Sequence, residues 1–119
     1  MVLVNLWATW CTPCLLEIPD LLARTAELLA ADFRLLAISM DEAYIEGWVT
    51  EFKAKHFPTL VSLINSELHM NPLVIVIEPV WNETLPTSYI LNREGEVVKK
   101  VQGKQSIAFF REQLISAGF

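Results

Sequence analysis

A chain of 119 residues, 53% hydrophobic and only 19% charged, has the length and composition of one domain with a buried core, which excludes a disordered or low-complexity protein. Nine basic residues stand against 14 acidic ones, a net charge of −5, so the basic footprint of a nucleic-acid binder is excluded. No run of about 20 apolar residues could span a bilayer. The first residues carry neither a basic n-region nor a small-residue cleavage site, so no signal peptide is read. Met1 opens directly on a strand-like run, which reads as a trimmed chain or a domain cut from a longer precursor.

In chain order, Val2–Trp7 is short, apolar and partly β-branched, the pattern of a buried strand. Asn5 is its one polar member and, once buried, needs a hydrogen-bond partner; a structural amide is favoured over membership of a site. Residues 11–31 carry helical periodicity, with Leu15, Ile18, Leu22 and Leu29 on one stripe and Leu21 and Leu28 beside it. Pro13 falls in the first turn, where its missing N–H costs nothing. Pro19 either delays the helix or kinks it; the pattern beginning at Leu15 favours a kinked helix.

Residues 33–40 read as a second buried strand ended by Asp41. Residues 42–56 read as a helix with Trp48, Val49 and Phe52 as its apolar face, stopped at Phe57-Pro58. Residues 60–64 fit a short strand. Over 65–82 the signals conflict: Asn71-Pro72 looks like a helix start, whereas Leu73 to Ile77 is β-branched like a strand. Residues 87–91 and 96–101 form a hairpin about the turn Asn92-Arg93-Glu94-Gly95. Gly103 breaks the chain, Ser106 is a candidate N-cap, and Ile107, Phe110 and Leu114 share one face of a last helix ended by Gly118. Helical crossovers join parallel strands and a short turn joins antiparallel ones, so the expected fold is a single α/β domain over 1–119 with a mixed sheet flanked by helices.

The two cysteines, Cys11 and Cys14, are the only ones in the chain. They stand where the first strand ends and the first helix begins. A bridge between them closes too small a loop to staple a fold, so the spacing reads as redox chemistry or as half of a zinc site. The zinc reading would need His56 and His69, which nothing ties to the cysteines, and both read as surface or loop residues. At a helix N-terminus the unpaired N–H groups and the dipole favour a thiolate. Cys11 is therefore expected to be the exposed nucleophile. Cys14, a turn further in, is expected to be the resolving thiol, with Thr12-Pro13 tuning the potential.

Val4-Asn5-Leu6-Trp7-Ala8-Thr9-Trp10-Cys11-Thr12-Pro13-Cys14 with Glu17 and Pro19 resembles the active-site signature of the TlpA/ResA-like thioredoxins, a group of thiol–disulfide oxidoreductases. Leu85-Pro86-Thr87-Ser88-Tyr89-Ile90-Leu91-Asn92, then Gly95, resembles that group's proline loop and following strand. The resemblance runs from residue 2 to the end except over 65–82, and an insertion is expected between a central βαβ unit and a closing ββα unit. The leading β segment of many relatives is absent. The resemblance implies a thioredoxin-like fold, Cys11 as nucleophile and Cys14 as resolving thiol. It also implies a cis Pro86 packed on the disulfide, and substrate contacts at Trp10, Thr12, Pro13, Leu85 and Gly103, with Leu85 pairing an extended substrate strand. From the residues alone Glu17 can be an acid in the helix's first turns, favoured by the dipole and facing water. The resemblance implies instead that it lies near the cysteine pair and assists proton transfer, since a carboxyl desolvated beside a thiol has its pKa raised. Better-known thioredoxins place a buried aspartate at the position of Asn5.

The expected activity is thiol–disulfide exchange, with protein disulfides as substrates and an upstream electron donor. No cofactor, metal or nucleic acid is implied. The chain is expected to be a monomer in a periplasmic or otherwise extracytoplasmic compartment. The alternatives are a cytoplasmic thioredoxin-like reductant serving a peroxidase, and a redox-inert binding module. A strong oxidant is disfavoured because no histidine stands between the cysteines.

Overall fold

The computed structural model describes residues 1–28, 33–42, 45–64 and 85–116. In chain order the elements are β1 (Val2–Trp7), α1 (Thr12–Leu28), β2 (Arg34–Ser39), α2 (Glu46–His56), β3 (Ser62–Ile64), β4 (Thr87–Leu91), β5 (Val97–Gln102) and α3 (Ile107–Ser116). The sheet runs β3-β2-β1-β4-β5. β1 pairs parallel with β2, and β2 parallel with β3; β4 is antiparallel to both β1 and β5. This is the expected α/β architecture. α2 and β3 stand between the central β1-α1-β2 unit and the closing β4-β5-α3 unit. The conflict over 65–82, and the readings at Leu29, His69 and Gly118, lie outside the described residues.

Alternation along β1 sorts the core into two faces. Leu3 and Trp7 face the side where Leu35 and Ala37 of β2, Ile90 of β4 and Val101 of β5 meet Ile18 and Leu21 of α1, Val49 of α2, and Phe110 and Leu114 of α3. Val4 and Leu6 face the other side with Ile38, Met40 and Tyr89. Both cysteines belong to the first cluster, so the reactive pair is built into the main core rather than hung from a loop.

α1 continues through Pro19, whose ring is exposed. Pro13 sits in the first turn as expected. α3 is capped by Ser106, whose Oγ accepts the Phe109 N–H at 3.1 Å, and the hairpin turn is tied by Asn92 Oδ1 accepting the N–H groups of Glu94 and Glu96 at 3.0 and 2.9 Å. α2 differs from its sequence reading. It starts at Glu46, and of the expected apolar face Val49 is buried while Trp48 is 56% exposed. The aromatic packing here centres on Trp7, which meets Phe57 edge-on at 6.1 Å and Phe52 at 6.4 Å, while Trp48 meets the cluster through Phe52.

Candidate active site

The site begins with how β1 ends. Trp7 is fully buried, its indole Nε1 donating to Ser62 Oγ at 3.0 Å, and its carbonyl accepts the Met40 N–H at 2.7 Å. The chain then turns: the Cys11 N–H donates to Ala8 O at 3.1 Å. Asp41, at the end of β2, holds this turn. Its carboxylate accepts from the Thr9 N–H (3.1 Å), from Thr9 Oγ1 (2.6 Å) and from Ser39 Oγ (2.5 Å). A buried carboxylate with this many donors is satisfied and rigid, so the approach to Cys11 is fixed from the neighbouring strand.

Cys11 occupies the N-cap of α1. Its carbonyl accepts the Leu15 N–H at 3.1 Å and its Sγ accepts the Cys14 N–H at 3.3 Å. The sulfur thus stands where a capping oxygen usually does, against an unpaired amide and the positive end of the helix dipole. Cys11 and Cys14 are joined in a disulfide, with Cα atoms 5.3 Å apart. The sequence reading has Cys11 exposed; in this disulfide state it is 5% exposed and Cys14 1%. The N-cap position turns Sγ inward onto the Cys14 amide, so what faces solvent is the rim, with Trp10 61% exposed and Thr12 and Pro13 also open.

The second segment reaches the same end of the sheet. Register pairs Thr87 with Leu6 and Ser88 with Asn5, which carries Pro86 to the end of β1 from which the cysteine loop departs. The Leu85-Pro86 bond is cis and Pro86 is buried. Leu85 packs against the core cluster that contains both cysteines. Gly103, at φ +80°, donates its N–H to Pro86 O at 2.9 Å, tying the loop after β5 to the proline. The structure therefore joins Leu85, Pro86 and Gly103 into one unit and places Trp10, Thr12 and Pro13 around Cys11 in the chain.

Glu17 lies one helical turn beyond Cys14 on the same face of α1 and is 1% exposed. Its Oε1 accepts from Asn5 Nδ2 at 3.3 Å and its Oε2 from the Gln105 N–H at 3.0 Å. Burial pushes its pKa up from 4.5 to about 7; the Gln105 amide, Lys104 and Asn5 pull it down, and Asp20 pushes it up. Burial wins because the desolvated carboxylate loses more from water than these partners return. Asn5, favoured from the sequence as a structural amide, joins this polar group, donating also to Ser88 Oγ at 2.9 Å. Ser88, Gln105, Asp41 and Ser39 carry no signal in the sequence that marks them for the site. Among the described residues no cluster of His, Cys, Asp and Glu is arranged to hold a metal ion, and no helix is long and apolar enough to cross a membrane.

A disulfide at a helix N-terminus, with a carboxyl one helical turn further along α1 whose pKa burial pushes up to about 7, has the groups needed to exchange electron pairs with other thiols and to move the accompanying protons. The chain is similar to known proteins over most of its length. It is 26% identical over 115 residues to the thiol-disulfide oxidoreductase ResA of Bacillus thuringiensis, covering 95% of this chain and 58% of that one. A putative thiol:disulfide interchange protein DsbE from Chlorobium tepidum superposes with a TM-score of 0.79 at 24% identity, over 98% of this chain and 78% of that one. A putative thioredoxin from Neisseria meningitidis does so with a TM-score of 0.76 at 18% identity, over 98% and 73%. The fold is thioredoxin-like, and the resemblance to the TlpA/ResA-like group holds. With residues 1–100 matched by the family's sequence model, the chain belongs to the AhpC/TSA family.

Proposed function

We propose that the protein is a thiol–disulfide oxidoreductase that reduces protein disulfides. The observation that carries this reading is the Cys11–Cys14 disulfide at the N-terminus of α1, with the Cys14 N–H directed at Cys11 Sγ. In the reduced protein the Cys11 thiolate attacks one sulfur of a substrate disulfide. A mixed disulfide forms, and the first substrate sulfur leaves as a thiolate and takes up a proton. Cys14 gives its proton to Glu17 and attacks Cys11 Sγ. The mixed disulfide breaks, the second substrate sulfur leaves and is protonated, and Cys11–Cys14 is closed. Two electrons have passed to the substrate, and an upstream dithiol donor restores the pair. Trp10, Thr12, Pro13, Leu85 and Gly103 frame the docking surface, with the Leu85 backbone pairing an extended substrate strand beside cis Pro86. Residues 1–119 act as one monomeric domain in an extracytoplasmic compartment, a placement that rests on the resemblance to the TlpA/ResA-like group.

Equilibration against glutathione or dithiothreitol series tests the reading. The expected potential lies nearer the ~−270 mV of a thioredoxin than the ~−120 mV of a strong oxidant, and thiols that resist oxidation throughout the series would leave only a binding module. Cys11→Ser should abolish reduction of insulin disulfides, while Cys14→Ser should accumulate mixed disulfides through Cys11. Trapping by Cys11→Ser instead would reverse the two roles.

A further inference from the structure

Asn5 on β1, Glu17 on α1 and Ser88 on β4 bring three polar side chains together inside the core, each 1% exposed. The Asn5 amide nitrogen donates to Glu17 Oε1 at 3.3 Å and to Ser88 Oγ at 2.9 Å. Its Oδ1, equally buried, has no partner among the described residues. Buried amides are usually held at both ends; an oxygen fixed by a backbone N–H would lock the nitrogen toward Glu17. No described residue holds this oxygen, so the amide's orientation is decided by the two groups at its other end. Ser88 can donate or accept. Glu17 is an acceptor when ionised and carries a donor O–H when neutral.

The position of that donor follows from the geometry. Glu17 Oε2 already accepts the Gln105 N–H at 3.0 Å, so an added proton goes to Oε1, the oxygen facing Asn5. There an O–H would oppose an N–H. A half-turn about the last side-chain bond of Asn5 puts Oδ1 in that place, accepting from Glu17 Oε1–H and from Ser88 Oγ–H together. The nitrogen moves to the end where Oδ1 has no donor among the described residues, so the turn breaks no hydrogen bond at that end.

We propose that Asn5 is an orientation switch set by the proton on Glu17: its amide donates to the carboxylate and turns to accept from the carboxyl, with Ser88 reversing its hydrogen bond in step. Both protonation states of Glu17 then have a matched partner. On the reading of Glu17 as the proton acceptor of Cys14, on which the functional sense of the switch rests, the carboxyl takes and returns a proton without a donor–donor clash in either state. Asn5 and Ser88 are positioning residues acting through Glu17. The charges facing Glu17 are Lys104, which favours the carboxylate, and Asp20 on α1, which favours the carboxyl; Gln105 contributes a neutral N–H. The transition falls near neutrality, at about 7. An aspartate at position 5 could not take part in this way, because an ionised carboxylate has no hydrogen to donate.

The test uses the disulfide-bonded protein, in which neither cysteine titrates. The Glu17 carboxyl carbon and the Asn5 side-chain amide are followed by NMR between about pH 5 and pH 9, spanning the carboxyl's transition. Both signals should titrate with one midpoint, and the Asn5 response should vanish in Glu17→Gln. An Asn5 amide that stays constant while Glu17 titrates, or that responds unchanged in Glu17→Gln, overturns the switch. In Asn5→Leu both forms of Glu17 lose their matched partner, so the Glu17 midpoint, and with it the pH profile of the resolving step in the reduced protein, should move by less than about one pH unit. A rise of about a unit or more, as on losing a fixed donor from the carboxylate alone, overturns the switch. Should Asn5→Leu fail to fold, the wild-type titration decides alone. Because that titration uses the oxidised protein, a fixed amide would leave the redox reading standing, and an absent redox activity would leave the amide result standing.

Discussion

Replacing Glu17 by Gln removes a buried titratable group while keeping a side chain of nearly the same shape. The carboxyl ionises at about 7 in the folded protein against 4.5 ordinarily, so between those values the folded state holds a proton that the unfolded state has released. Stability therefore falls as pH rises through this window. The penalty is absent below the unfolded pKa and complete above the folded one, where it reaches about 3 kcal/mol. The Glu17→Gln variant carries no such penalty, and the oxygen of its new amide can still accept the Gln105 N–H. Urea unfolding of the oxidised wild type and of Glu17→Gln at about pH 5 and about pH 8.5 isolates the term, because the other titrating groups are common to both. The difference between the proteins should change by about 2–3 kcal/mol in favour of Glu17→Gln at the higher pH, a relative midpoint shift of about 1 M urea or more for a domain of this size. Parallel pH dependences in the two proteins would mean that Glu17 titrates as an ordinary exposed acid, and the argument from burial would fail.

Asp41→Ala should cost about 2–3 kcal/mol in urea unfolding, since it leaves the half-buried Thr9 N–H and hydroxyl and the buried Ser39 hydroxyl without their acceptor; a loss below about 1 kcal/mol would show the turn to be held by other contacts. Gly103→Ala meets no steric obstacle, yet it forces an L side chain to φ +80° and should cost about 1–2 kcal/mol by the same assay. Ser106→Ala removes the cap on the Phe109 N–H and should cost about 1 kcal/mol, read as a lowered midpoint without a change in urea dependence.

The cysteine pair was legible in the sequence because its chemistry is local: Cys11 and Cys14 are one turn apart, and the strand before them and the helix after them carry clear periodicities. Pro86 was legible only through the resemblance, since a proline at the head of a strand says nothing by itself of a cis bond. The polar partners were not legible. Asn5 and Ser88 lie 83 residues apart and Thr9 and Asp41 32 apart, and what joins each pair is sheet register, which no local pattern specifies. Exposure was misread at Cys11, where the N-cap turns Sγ inward onto the Cys14 amide, and at Trp48, which α2 leaves largely exposed.

Glu17 shows how these two kinds of information combine. Helical spacing alone puts it on the face of Cys14, and an acid in the second turn of an open helix would be an ordinary solvated group. Its chemistry comes from elements the spacing cannot see: β1 brings Asn5, and the turn before α3 brings the Gln105 amide and Lys104. These partners are too few to offset the lost water, and so the pKa settles near neutrality instead of falling. Had the loop after β5 supplied another donor, the same residue at the same helical position would be a permanent carboxylate, fit to anchor α3 and unfit to exchange protons with a thiol. The proton chemistry proposed for the site therefore depends on how the Gly103–Ser106 turn is held against Pro86, as much as on the Cys-Thr-Pro-Cys segment itself.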